Sequence, residues 1–164
     1  INILKNSKTS VTHSVCQLYD MYDSNGKPNV KLLIGSLHWM RKIRNSCAHN
    51  ERIFCIHQSQ NSVKQNNGRI IEKYIMALRP SYSKKSDKRI FDLLVYFKYY
   101  LPDKEFRNMI EGFQKMLTGL QNSISANAFD NIRGQMGIKS LSDLETLKSL
   151  YKAPILYNNF DILT

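Results

Sequence analysis

Acidic side chains are scarce in this chain. It has 13 Asp and Glu against 24 Lys and Arg in 164 residues, a formal net charge of +11. Cysteine is also rare: Cys16, Cys47 and Cys55 are odd in number and follow no framework spacing, which excludes a disulfide-built scaffold and points to a reducing, cytoplasmic setting. Apolar runs are short and broken by Lys, Asn or Ser, so no segment nears the roughly 20 apolar residues that span a membrane. No P-loop, nucleophile elbow or dinucleotide fingerprint is present, and there is no internal repeat or low-complexity tract. The first residue is Ile1 and the opening residues have no signal-peptide pattern, so the chain is expected to be part of a longer protein.

What is present is a lopsided charge. Residues 1–86 carry 14 basic and 4 acidic side chains, and residues 87–164 carry 10 and 9, so nearly all the excess lies in the first half. Such an excess concentrates polyanions and favours RNA, DNA or an anionic surface. The alternative is a basic surface kept for solubility.

Hydrophobic spacing reads as helix throughout. Val11, Val15, Leu18 and Tyr22 make one stripe over residues 9–22, and a dense turn signal follows at 23–28. Asn29 can cap a second helix reaching His49 or Asn50, with Val30, Leu33, Leu37 and Met40 on one face and Ile34 and Ile43 beside them. Residues 57–69 read as an exposed polar loop, and 70–78 as a short helix or a strand. Ser86 and Asp87 can start a third helix, carrying Ile90, Leu93, Leu94, Phe97 and Leu101, and Pro102 and Asp103 a fourth, carrying Phe106, Ile110, Phe113, Leu117 and Leu120. A shorter helix runs from Ser125 to a stop at Gly137, and a last piece covers 142–151. The expectation is one all-α domain over residues 1–164, a bundle of four to five helices with the 57–69 loop.

The second helix ends in Arg44, Asn45, Ser46, Cys47, Ala48 and His49, with Arg52 just beyond. Arg44-Asn45-x-x-x-His49 resembles the R-x4-6-H signature of the HEPN (higher eukaryotes and prokaryotes nucleotide-binding) ribonucleases. The wider string Ile43 to Phe54 is similar to the C-terminal part of the Abi-like (AbiD/AbiF) abortive infection family. The likeness covers about residues 10–140 and is sharpest over 37–54. It implies a HEPN-like bundle forming the C-terminal part of a longer Abi-like protein, and a site composed where two copies of the motif meet in a homodimer. It also implies RNA as substrate, with a small RNA as a further, inhibitory partner.

The chemistry is consistent with these residue types. Breaking RNA by internal transesterification requires a base for the 2′-hydroxyl, a cation for the charge on phosphorus and an acid for the leaving 5′-oxygen. Imidazole titrates near pH ~6.5 and can serve as base and acid. Guanidinium stays charged and grips two phosphate oxygens. His49 is therefore assigned acid and base work, Arg44 the phosphate, and Asn45 the positioning of His49 or a phosphate oxygen. No metal and no cofactor is called for. Arg41, Lys42, Asn50, Arg52, Lys84 and Lys85 are assigned to RNA binding, and the run Lys84, Lys85, Lys88, Arg89 reads as a solvated face that helps to hold it.

Helical phase imposes a constraint: Arg44 and His49 are about 140° apart around a regular helix and about 7.5 Å apart along it. Either the helix loosens at its end or two copies complete the set. The simpler structural alternative is that an Arg and a His at a helix end neutralise its dipole and bond its last carbonyls. Cys47-x-His49 with Cys55-x-His57 hints at zinc, yet residues two apart on a helix point about 160° from each other. His13 and His38 read as surface or core, and Trp39, Tyr99 and Tyr100 as core rather than base-stacking groups. Two functions compete with the metal-independent endoribonuclease: a non-catalytic module that binds a small structured RNA, and a protein-interaction bundle.

Overall fold

The computed structural model describes residues 8–23, 25–56 and 89–150. Among them the architecture is an all-α bundle: α1 (Thr9–Leu18), α2 (Val30–Ala48), a 3-10 turn (Ile53–Cys55), α3 (Ile90–Tyr100), α4 (Asp103–Ser123), α5 (Ala126–Gln135) and α6 (Ser142–Ser149). No strand occurs in these residues; Tyr22 and Pro28 form an isolated antiparallel bridge that closes the link between α1 and α2. The polar loop expected at 57–69, the segment 70–78, and Lys84, Lys85 and Lys88 lie outside the described residues.

The centre of the bundle is α3. Ile90 through Tyr96, Lys98 and Tyr99 are all buried, as expected for a helix apolar on nearly every side. α2 and α4 pack against it, α1 lies on α2, and α5 and α6 lie on α4. Lys98 is fully buried, with its ammonium 4.6 Å from the centre of the Phe106 ring on α4, so even the one basic residue of α3 serves the core. Phe106, Ile110 and Leu117 of α4 are buried, with Phe113 and Leu120 half-buried against them. Each fully buried side chain of this size contributes about 1.5–3 kcal/mol.

Two helix ends and two buried faces differ from the pattern expected from apolar spacing. α1 stops at Leu18 rather than near Tyr22, because Asp20 turns left-handed (φ 53°) and the Met21 N–H bonds back to the Cys16 carbonyl at 2.8 Å. Its buried residues are Thr12 and Cys16, while Val11 and Tyr22 are exposed. The inner face of α2 is likewise rotated: Leu33 and Ile43 are buried as expected, but Leu32, Ser36, Trp39 and Ser46 join them, while Val30, Ile34, Leu37 and Met40 are half-buried. Two serines on that face hide it from a count of apolar residues. Ser36 is satisfied by the Leu33 carbonyl at 2.9 Å and the Tyr100 hydroxyl at 2.6 Å. α3 begins at Ile90, not at 86–87: Arg89 is extended, and its N–H donates to Asp92 Oδ2 at 2.7 Å.

The other ends follow the expected chemistry. Asn29 caps α2 by accepting the Leu32 N–H, Ser125 caps α5 by accepting the Ala128 N–H, and Gly137 (φ 80°) ends α5.

The cysteines yield a direct check. Cys16 is buried and its burial pushes the thiol up to about 11, whereas Cys47 and Cys55 are exposed. Titration with a thiol-specific disulfide reagent near pH ~8 should modify Cys47 and Cys55 in the native protein and reach Cys16 only after unfolding. Rapid native modification of Cys16 would contradict this packing.

Candidate functional site

The end of α2 is built by backbone chemistry. The helix stays regular through Ala48, and His49 follows as its cap residue with φ −98° and ψ 12°. Asn50 is left-handed (φ 53°), its N–H donates to the Cys47 carbonyl at 3.2 Å, and the Glu51 N–H donates to the Ser46 carbonyl at 2.9 Å. The His49 N–H takes the Asn45 carbonyl at 3.1 Å. This paired pattern is the Schellman end, in which Asn is one of the few residues other than Gly that is well tolerated at the left-handed position. Asn50, expected among the RNA-binding residues, thus has a backbone task. Asn50→Ala should destabilise the fold by about 1 kcal/mol and Asn50→Gly should be neutral or better, as read from urea midpoints.

The same bonds weigh against the helix-neutralising role for the motif. The carbonyls of Asn45, Ser46 and Cys47 accept backbone N–H groups, so capping side chains are not needed there. Arg44 instead donates from Nη1 to Asn45 Oδ1 at 2.9 Å. Asn45 therefore orients the guanidinium, where it was expected to position His49 or a phosphate oxygen. The His49 side chain is exposed, and among the described residues no hydrogen bond holds its imidazole. Because the helix does not loosen before Ala48, Arg44 and His49 keep their separation of about 140°.

Around them Arg41, Lys42 and Arg52 are exposed, with Glu51 the one carboxylate in the stretch 41–52. Arg41 and Arg52 form no ion pair among the described residues, and the Lys42 ammonium lies 5.4 Å from the centre of the Trp39 ring. Trp39 and Tyr99 are buried and Tyr100 is half-buried, so these aromatics belong to the core and not to a base-stacking platform. Burial raises the Tyr100 phenol above its usual range, partly offset by the Ser36 hydrogen bond. Among the described residues no group of three or more His, Cys, Asp or Glu side chains is placed to hold a metal ion; His57 lies outside them. In these residues no helix is long and apolar enough to cross a membrane.

Arg89 departs from the place its sequence neighbours imply. Placed in a solvated basic face, it is in fact half-buried, and its Nη1 donates to the carbonyls of Gly134 at 2.9 Å and Gln135 at 3.3 Å at the end of α5. The signal available was Gly137, whose lack of a Cβ leaves space against which the Arg89 side chain lies.

The fold and this terminus define an all-α protein whose second helix presents an exposed Arg-Asn-x-x-x-His motif within a cationic patch. Over residues 1–55 the chain matches the model of the Abi-like protein family, a stretch that includes α1, α2 and the whole motif. The match ends at the 3-10 turn, short of the residue 140 to which the likeness was expected to extend. No curated protein and no solved structure matches the chain.

Proposed function

We propose that the α2 terminus is the catalytic end of a metal-independent endoribonuclease of HEPN type, acting in abortive-infection defence or as the toxin of a toxin-antitoxin pair. The observation that carries this reading is the exposed Arg44, Asn45 and His49 group, whose side chains are released from helix capping by the Schellman bonds and stand beside the exposed Arg41, Lys42 and Arg52. The Abi-like match over the same residues supports it.

In the reaction, His49 takes the proton from a 2′-hydroxyl, and the 2′-oxygen forms a bond to phosphorus. The bond from phosphorus to the 5′-oxygen breaks, and that oxygen receives a proton from an imidazole acid. The products are a 2′,3′-cyclic phosphate and a 5′-hydroxyl. Arg44, held by Asn45, bears the charge that builds on the phosphoryl oxygens. The unfavourable helical phase of Arg44 and His49 favours a homodimer, in which His49 of the partner subunit supplies the second proton transfer.

The test is digestion of RNA and of DNA of the same sequence with EDTA present, and analysis of the product ends. RNA cut to 2′,3′-cyclic phosphates, with DNA intact, is expected. RNA that is bound without being cut would favour the binding-module reading, and absence of both binding and cutting would favour a protein-interaction bundle.

A further inference from the structure

Three helices meet at Arg89. Its carbonyl accepts the Trp39 indole N–H at 3.2 Å, which ties it to α2. Its N–H donates to Asp92 and so begins α3, and the Phe91 N–H donates to the Met136 carbonyl at 2.9 Å. Its guanidinium sits on the last carbonyls of α5, the negative end of that helix, where a cation is favoured. The space is fitted to it: a Cβ on Gly137 would lie 3.1 Å from both Cβ and Cδ of Arg89, at a φ of 80° that already disfavours one.

Both partners of this contact lead to the motif. α5 packs on the 3-10 turn Ile53–Cys55, which starts directly after Arg52 and also packs on α2. Phe54 and Ile56 anchor that stretch against the core. Trp39, on the other side, carries the Lys42 ammonium over its ring. We infer that Arg89 is a positioning residue for the α2 terminus. Through α5 it holds residues 49–56 in place against α2, and through Trp39 it sets the face that carries Lys42. Lysine keeps the charge but lacks the planar fork, so it replaces Arg89 only in part. The catalytic consequence rests on the ribonuclease reading; the positioning itself does not.

The experiment compares Arg89→Ala, Arg89→Lys and Leu144→Ala, all under conditions where circular dichroism shows them folded. Leu144 is a fully buried residue of α6 and supplies a destabilised control. Three readouts are taken: amide exchange of a peptide covering 49–56, emission of Trp39 as the only tryptophan, and RNA cleavage kinetics. Arg89→Ala should raise exchange over 49–56 by about tenfold and shift the Trp39 emission. Its kcat should fall by on the order of 10²-fold with KM changed much less. Arg89→Lys should recover part of each, and Leu144→Ala should move only the melting temperature. Should Arg89→Ala not fold, Arg89→Lys against Leu144→Ala decides the matter alone. Exchange over 49–56 no faster in the Arg89 variants than in Leu144→Ala would overturn the inference. If the unaltered protein cuts no RNA, the ribonuclease reading fails, and exchange and emission still decide the positioning.

Discussion

RNA cleavage is expected to fall by about 10²- to 10⁴-fold when His49 is replaced by alanine, the range typical for loss of a positioned general acid or base. Arg44→Ala should cost about 10²- to 10³-fold through loss of charge stabilisation at phosphorus. Arg44→Lys should restore only part, since an ammonium cannot hold two phosphoryl oxygens at once. Both side chains are exposed at the end of α2, so the melting transition and circular dichroism should stay unchanged. Mixing the two inactive alanine variants provides a test of composition. A heterodimer holds one intact Arg44 and one intact His49 on different protomers, so partial recovery of cutting would show a shared site and would assign both proton transfers to one imidazole, whereas no recovery fits a need for both copies of His49. Robust cutting by His49→Ala would end the assignment of that residue.

The second large effect concerns salt. An interface that contacts about six phosphates should lose RNA affinity by on the order of 10³ between about 50 and 200 mM salt, as condensed counterions are released. The motivation is the excess of ten positive charges in residues 1–86 together with the exposed Arg41, Lys42 and Arg52 beside the motif. Replacing Arg41 or Arg52 by alanine should weaken binding on all sequences alike and flatten the slope of log affinity against log salt by about 0.7 each on single-stranded RNA. Fluorescence anisotropy of a labelled RNA over a salt series measures both. A flat response would favour the protein-interaction bundle.

The contrast between Trp39 and Arg89 shows where reading along the chain succeeds. Trp39 reads as core because an aromatic at helical spacing more often packs inside a bundle than stacks on a base. Arg89 reads as solvent-facing because it follows a run of lysines. Its partners, the carbonyls of Gly134 and Gln135, are more than forty positions away, and no local pattern marks a carbonyl that awaits a guanidinium. Ser36 is a second case: nothing beside it in the chain marks the Tyr100 hydroxyl that lies 2.6 Å from its own.

Local chemistry was enough for the all-α class, the caps at Asn29 and Ser125, the stop at Gly137, the basic first half and the Arg44-Asn45-x-x-x-His49 motif at a helix end. Each depends on side chains within about one turn of each other or on the identity of a residue, and such interactions are written in adjacent positions. The rotation of the α1 and α2 faces, the burial of Lys98 and the seating of Arg89 on α5 were decided only when the helices packed. These are contests between alternative faces, and the outcome depends on which distant groups satisfy a buried polar atom. The release of the motif from capping belongs to both: Asn50 is visible in the chain as a residue that tolerates a left-handed turn. Only the folded backbone shows that it makes the turn, and that the carbonyls of Asn45, Ser46 and Cys47 are thereby taken by N–H groups, leaving Arg44 and His49 for other partners.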